Sequence, residues 1–493
     1  MIKKGNILIV IMLMAFSTGM SGQVARRSFT LEEVIDLAQQ QSPDALLAKN
    51  RFLKAFWEMR TSEARLLPQL ALDATVPSYN RSIIKVTQPD GSDAFREISQ
   101  MTTSAALGIS KNVGLTGGNI FMQSRLQRID YLAADSSAWA SDPLVIGYQQ
   151  DIFTFNPYKW SKRIDPIKYR EAKRQYLEDV QQIAITATNY FFNLLVSQER
   201  QKIEEQKEAN YDTLYKIGIG RFNLGKIAEN DLLQLELSYL QAQAAVESNQ
   251  TETQNRMFQL KSYLRMQDDT PIELVLPVEE IAFFDVAVQQ ATLLALTNSS
   301  TALAFDRRLL EADRDVNYAQ TTERFSAKLF AQYGLTQSAE NFDDAFRSPQ
   351  DQQVVSLGLT IPIVDWGLAK GRIKIAESDR EIVRTSIEQE RIDFEQNVYL
   401  QVQNFMMQQR QLAIAAKADT VARKSFEIAK QRYLIDKIDI INLRDAQSSN
   451  DNATISFIRS LQDYWLNYYQ LRKLTLFDFR ENQEISIDFE KLR

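Results

Sequence analysis

From Arg372 to Arg493 the chain runs for 122 residues without a glycine or a proline. These are the two residues that most strongly interrupt a helix, so the stretch predicts very long uninterrupted helix. A second stretch, between Pro166 and Pro271, has no proline and holds glycine only at 218, 220 and 225. At about 1.5 Å per residue a helix of roughly 55 residues reaches about 80 Å, too long for a compact domain. The length of 493 residues alone would suggest about three globular domains; the scarcity of breakers predicts one elongated body instead. Apolar residues in these stretches step like a coiled coil. Ile183, Ala187, Tyr190 and Leu194 are spaced by four, three and four, as are Leu235, Tyr239, Ala242 and Val246. Val398, Val402 and Phe405, and then Ile458, Leu461, Trp465 and Tyr468, keep the same rhythm.

Strand-like segments precede each helical stretch. Val355, Leu357, Leu359, Ile361 and Ile363 alternate with Ser356, Gly358, Thr360 and Pro362, a period of two that suits a half-buried or membrane-facing strand. The same alternation occurs at Leu70 to Val76, at Ala105 to Ile109 and at Leu329 to Leu335, and more weakly from Ile120 to Ile129 and from Leu144 to Ile152. The intervening loops, such as Gln88-Pro89-Asp90-Gly91-Ser92 and residues 337–353, are polar.

The sequence contains no His and no Cys. That excludes the usual zinc sites, His-dependent nucleophiles, haem and iron–sulfur ligation and disulfides. No catalytic residue, cofactor site or metal site is predicted. The adjacent acids Glu204-Glu205 and Asp343-Asp344 read as solvated surface, and no phosphate-cradling glycine motif follows a strand. A net charge of −6 gives no footprint for nucleic acid. Lys3 and Lys4, an apolar run from Ile7 to Phe16 and the small residues Ser17 to Gly22 predict a signal peptide over residues 1–22. No later segment resembles a spanning helix, so any membrane crossing falls to strands.

An internal repeat organises the rest. At an offset of 211, Gly147 falls on Gly358, Arg221-Phe222 on Arg432-Tyr433, Lys226-Ile227 on Lys437-Ile438 and Gln259-Leu260-Lys261 on Gln470-Leu471-Arg472. Ala45-Leu46 and Ala302-Leu303 also match, as do Arg65 and Arg324, at shifted offsets. The expected division is a first repeat over 23–269, a linker over 270–280, a second repeat over 281–480 and a tail over 481–493. Two clear strands per half give four per chain, or six if the weaker pair between about 115 and 152 is genuine. Either number is too few for a closed barrel of about eight, so several copies would have to share one barrel.

In this order the motifs resemble the TolC-like family of outer-membrane efflux proteins, the outer membrane factors. Arg65-Leu66-Leu67-Pro68-Gln69-Leu70 is similar to the family's junction from helix to first strand. Leu359-Thr360-Ile361-Pro362-Ile363-Val364-Asp365-Trp366-Gly367 is similar to its exit from strand to helix. Arg221 to Ile227, followed by Asn230-Asp231, resembles its periplasmic tip turn. The resemblance implies an α+β membrane protein: a homotrimer with a shared 12-strand β-barrel in the outer membrane, continued by a long α-helical coiled-coil tunnel through the periplasm. It implies a passive exit duct that is no enzyme. The partners would be outer-membrane lipid, a periplasmic adaptor, and an inner-membrane efflux pump or ABC exporter.

The resemblance also implies site residues. The adaptor would meet two tip turns, Leu224-Gly225-Lys226 and Ile435-Asp436-Lys437. The second departs from the family's small-residue-then-glycine pattern by carrying Asp436. The family's two constricting acidic rings fall on Asn442 and Asp445, so one ring is neutral here. Three Asp445 carboxylates around a narrow pore would repel one another and favour cations. Tyr433 and Asp231 occupy the positions of one of the ties that hold the entrance closed, while Ile438 replaces the arginine of another. The competing reading from another class is a secreted structural coiled coil of adhesin type without a channel, which predicts heptads and no alternating strands.

Overall fold

The computed structural model describes residues 27–267, 270–279, 281–435 and 437–492. The expected signal peptide, part of the expected linker and Asp436 lie outside the described residues. Along the chain the elements are β1 (Arg27–Phe29), α1 (Leu31–Gln41), α2 (Pro43–Ala64), β2 (Gln69–Thr87), β3 (Asp93–Asn112), β4 (Asn119–Tyr131), β5 (Ser136–Ile152), α3 (Pro157–Asn223) and α4 (Glu229–Tyr263). Then follow β6 (Ile272–Leu274), α5 (Val288–Asn298), α6 (Ser300–Thr322), β7 (Ser326–Ala339), β8 (Gln350–Thr360), α7 (Leu368–Leu434), α8 (Ile440–Thr475), β9 (Phe477–Asp478) and β10 (Gln483–Glu484).

The breaker-free stretches are helices. α3 and α7 each span 67 residues, and α3 runs straight through Pro166. Its start is fixed locally. Asn156 Oδ1 accepts hydrogen bonds from the Tyr158 and Lys159 amides at 3.0 and 3.2 Å, an N-cap with proline at the first helical position, where a missing N–H costs nothing. At the start of α7, Asp365 accepts from the amides of Gly367 and Ala369, both at 3.0 Å. Those bonds hold its carboxyl below the usual carboxylate range. The helical stretch ends at Thr475; the last residues form β9 and β10, which pair as a small hairpin. The heptad positions form the cores: Ile183, Ala187, Leu194, Val398, Val402, Phe405, Ile458 and Leu461 are all buried.

The chain divides into two compact units. One holds residues 43–183, 283–410 and the described residues from 467 onward. It contains a six-stranded sheet in the order β2-β3-β4-β5-β7-β8, antiparallel throughout. The weaker alternation between 115 and 152 is therefore a genuine strand pair, and the sheet has the larger of the two expected numbers, six strands. Bulges between Gln123 and Arg125 and between Ser141 and Leu144 interrupt the alternation there, which is why it was faint. β8 stops at Thr360 instead of continuing through Ile363; Pro362 has no N–H to extend the ladder.

The helices of this unit pack around Phe52, whose ring lies against Tyr169, Tyr176 and Phe489. Arg307 pairs with Glu171 at 2.6 Å and Arg308 with Glu390 at 2.5 Å, tying α6 to α3 and to α7. Glu178 is buried and accepts from the Ser300 amide at 2.6 Å and the Ser300 hydroxyl at 2.7 Å. Burial pushes its carboxyl up, and the two Ser300 bonds pull the other way.

The other unit holds the described residues up to Ser42 with 184–282 and 411–466. The expected linker contains β6, which pairs in parallel with β1. Gln198 secures it by donating to the Ile272 carbonyl at 2.7 Å and accepting from the Leu274 amide at 3.2 Å. Three-residue strands are too short to show a period in the sequence.

Candidate functional site

Two helix-hairpin turns lie in the second of these units. The α3–α4 turn ends α3 with Gly225 at φ +66°. The Lys226 amide donates to the Arg221 carbonyl at 2.9 Å and the Gly225 amide to the Phe222 carbonyl at 2.8 Å. This pair of bonds is the Schellman closure, which puts glycine in the left-handed position. The turn displays Leu224, 73% exposed, beside exposed Gly225 and Lys226. The α7–α8 turn closes with the same long bond, from the Lys437 amide to the Arg432 carbonyl at 2.9 Å, and displays Ile435, 66% exposed, beside exposed Lys437. Each turn thus carries one large apolar side chain in water next to a lysine. Asp436 lies outside the described residues.

The expected gate residues fall on α4, α7 and α8. Asn442 and Asp445 are exposed, one helical turn apart, on the side of α8 away from buried Leu443 and Gln447. The Asn442 amide and side-chain nitrogen both donate to Asp439 Oδ1 at 2.8 Å. Asp439 is thus the N-cap of α8, legible in hindsight from an aspartate just before the apolar run. Asp231 accepts from the Ala228 amide at 3.4 Å and so helps close the start of α4. Tyr433 lines a cavity of about 260 Å³ together with Leu214, Ile217, Phe426, Leu434 and Leu443. Asp231 is not part of that lining.

Sequence reasoning missed one cluster. Lys207 on α3 contacts Glu204 and, on α8, Asp451, each at 3.0 Å, with all three side chains largely buried. Burial lowers the Lys207 ammonium, but hydrogen bonds to Asp451 and Glu204 outweigh it and hold the group above its ordinary value. Burial raises the Asp451 carboxyl against the pull of Lys207. Glu204 is therefore part of an interhelical ion cluster, not the solvated surface acid expected from its sequence context. A second tie joins α7 and α8, where Asp419 accepts from the Thr454 hydroxyl at 2.7 Å and pairs with Arg423 at 2.9 Å.

The sheet in the other unit has two unlike faces, and the register assigns them. Leu72 opposes Leu107, Ile109 opposes Met122, Met122 opposes Ile146, Ile146 opposes Tyr333, and Leu329 opposes Leu357. Directly paired residues share a face, so one apolar face crosses all six strands. Most of its large side chains, from Leu70 and Leu72 to Leu357 and Leu359, are exposed, and Leu329 is half-buried. The opposite face carries Asp73, Ser110, Gln123, Gln149, Lys328, Gln332 and Ser356. On that face the Phe121 and Phe330 rings stack at 6.1 Å. A Cβ on Gly147 would run into the Phe121 ring, which lies directly against the Gly147 backbone. At the end of the sheet where the helices leave, Leu115 and Trp366 are 90% and 96% exposed. Ser124, Gln150 and Gln353 are polar residues paired into this face, and a bare sheet with so much apolar surface is a liability in water and suits a wall in lipid.

Among the described residues no group of three or more acids is placed to hold a metal ion, and no helix is long and apolar enough to cross a membrane. No curated protein matches the sequence. Solved structures do match its fold. The CmeC outer membrane channel of Campylobacter jejuni is 17% identical with a TM-score of 0.65, over 94% of this chain and 88% of that one. The outer membrane protein VceC of Vibrio cholerae is 14% identical with a TM-score of 0.64, over 92% and 97%. The open state of the Neisseria gonorrhoeae MtrE outer membrane channel is 14% identical with a TM-score of 0.62, over 93% and 91%. At these identities the likeness is one of fold. Residues 294–475, however, match the outer membrane efflux protein family, and the fold is similar to that of these outer-membrane channels along nearly the whole length.

Proposed function

We propose that the chain is the outer-membrane duct of a tripartite export system. It works as a homotrimer whose strands form one barrel in the outer membrane and whose helices continue as a periplasmic tunnel. It is passive and needs no cofactor. Its periplasmic end is closed at rest and is docked by a periplasmic adaptor through Leu224-Gly225-Lys226 and Ile435-Asp436-Lys437, with an inner-membrane efflux pump or ABC exporter supplying the energy. The observation that carries this reading is the largely apolar face that spans all six strands with a more polar face behind it. A secreted structural coiled coil has no use for such a sheet, because its exposed apolar side would aggregate in water. The family match over 294–475 favours efflux as the cargo path.

The gate follows from the same reading. Asp445, exposed one turn from Asn442 on α8, supplies the single charged ring at the constriction. Three carboxylates in a narrow opening attract cations and bind divalents more tightly than monovalents. In planar bilayers the purified wild-type protein should give a small, cation-selective conductance that millimolar divalent cations block. Asp445→Ala should conduct with cation selectivity and divalent block each reduced several-fold. A membrane-inserted protein that conducts nothing, even with Tyr433→Phe to loosen the gate, would favour the structural coiled coil.

A further inference from the structure

We propose that the barrel wall takes six strands from each copy, so that a trimer closes 18 strands, and that the seam between copies is β8 of one against β2 of the next. The inference rests on the trimeric reading above and replaces the 12-strand wall that the family resemblance implies.

The two halves of the chain differ by one hairpin. Four strands lie between α2 and α3, and two lie between α6 and α7. The offset of 211 sets β4–β5 against β7–β8, with Gly147 on Gly358, whereas the preceding helices match at 257, as Ala45 on Ala302. The difference of 46 residues is close to the 44 residues of the β2–β3 hairpin from Gln69 to Asn112. β2–β3 is therefore the addition to a shared helix–hairpin–helix plan.

That hairpin is part of the wall and not a flap beside it. β3 pairs with β4 without a break from Gln100–Tyr131 to Asn112–Asn119. Leu70, Leu72, Leu107 and Ile109 carry the apolar face on from Met122 of β4, with the small Ser124 opposite Leu107. The sheet then ends at two open edges, β2 and β8. Open edges are not tolerated in lipid, since each unpaired N–H and C=O there costs several kcal/mol. With an even number of alternating strands, β8 runs opposite to β2, so a second copy of this chain can continue the sheet antiparallel. The apolar side chains at both edges are the most exposed of their face, Leu72 at 68% and Leu357 at 60% against 39% for Met122 in the interior. Because barrel diameter grows roughly in proportion to strand number, 18 strands give a lumen about one and a half times as wide as 12, in the range that leaves an aqueous channel.

The absence of cysteine makes the seam directly testable. Within one copy, β2 and β8 are five strand spacings apart, about 24 Å, and β4 and β8 three spacings, about 14 Å, so a disulfide must join two copies. Leu70→Cys, Leu72→Cys and Ala74→Cys would each be combined with Leu357→Cys, and trimer from outer membranes would be oxidised and run on denaturing gels. At least one pair should convert most of the protein to covalent dimer and trimer, and Met122→Cys with Leu357→Cys should give none. Links through Met122→Cys and none through β2 would overturn the proposal in favour of a 12-strand wall with β2–β3 outside it. A trimer that links through neither also overturns it. Native mass measurement of the unlinked protein separates these outcomes from failure of the trimeric reading itself, which would show as a monomer.

Discussion

Leu107→Arg should abolish assembly into the outer membrane, while Ala106→Arg, one residue away, should leave it nearly intact. Leu107 lies midway along β3, opposite Leu72 on β2 and Ser124 on β4, on the apolar face and half exposed. An arginine facing lipid near the midplane costs about 2–4 kcal/mol per copy. A trimer would carry that cost three times. Ala106 points to the other face, opposite Asp73 and Arg125, where an aqueous lumen accepts a charge. The expected result is at least a tenfold loss of trimer in outer-membrane fractions for Leu107→Arg and a loss of no more than about twofold for Ala106→Arg. Equal tolerance of the two would refute the assignment of faces.

Gly225→Pro should disconnect the duct from its adaptor without dissolving the trimer. Gly225 sits at φ +66°, and its amide donates to the Phe222 carbonyl at 2.8 Å. Proline is locked near −65° and has no N–H, so the substitution removes the bond and forbids the backbone angle, a local cost of about 3 kcal/mol or more. The damage is confined to a turn exposed on all sides, because nothing lies within 4 Å of where a Cβ would sit. Leu224 and Lys226 would lose their presentation, and adaptor cross-linking should fall at least tenfold. Gly225→Ala, which strains the angle by only about 1–2 kcal/mol, should show an intermediate loss. Undiminished cross-linking in the proline variant would exclude this turn from the docking surface.

The long helices were legible because their signal is strong and local. Absence of breakers over 122 residues predicts helix, and the stepped apolar positions such as Val398, Val402 and Phe405 are those buried in the structure. Strands with clean alternation, such as 355 to 360, were equally plain. β4 and β5 were faint because bulges shift the alternation partway along each pairing, and their number decides how wide a shared barrel would be. The turn geometry at Gly225 followed from glycine chemistry. The second turn closes with the same bond from Lys437 to Arg432. The Lys207–Glu204–Asp451 cluster escaped detection because Asp451 lies more than 240 residues from the other two, and no periodicity connects an acid on α8 to a lysine on α3. The same limit applies to Ser300 and Glu178, where a helix cap meets a buried acid from another helix.

The central claim is that one face of the six-stranded sheet touches lipid and the other lines an aqueous pore. The most direct measurement is fluorescence quenching of single cysteine labels, which the cysteine-free chain permits without background. Labels placed in turn from position 104 to 109 on β3, and again from 354 to 359 on β8, would be read in proteoliposomes against a lipid-attached quencher and against aqueous iodide. The account predicts a strict alternation: lipid quenching at Ala105, Leu107, Ile109, Val355, Leu357 and Leu359, and iodide quenching at Ser104, Ala106, Gly108, Val354, Ser356 and Gly358. Iodide quenching at every position, with none from lipid, would contradict it.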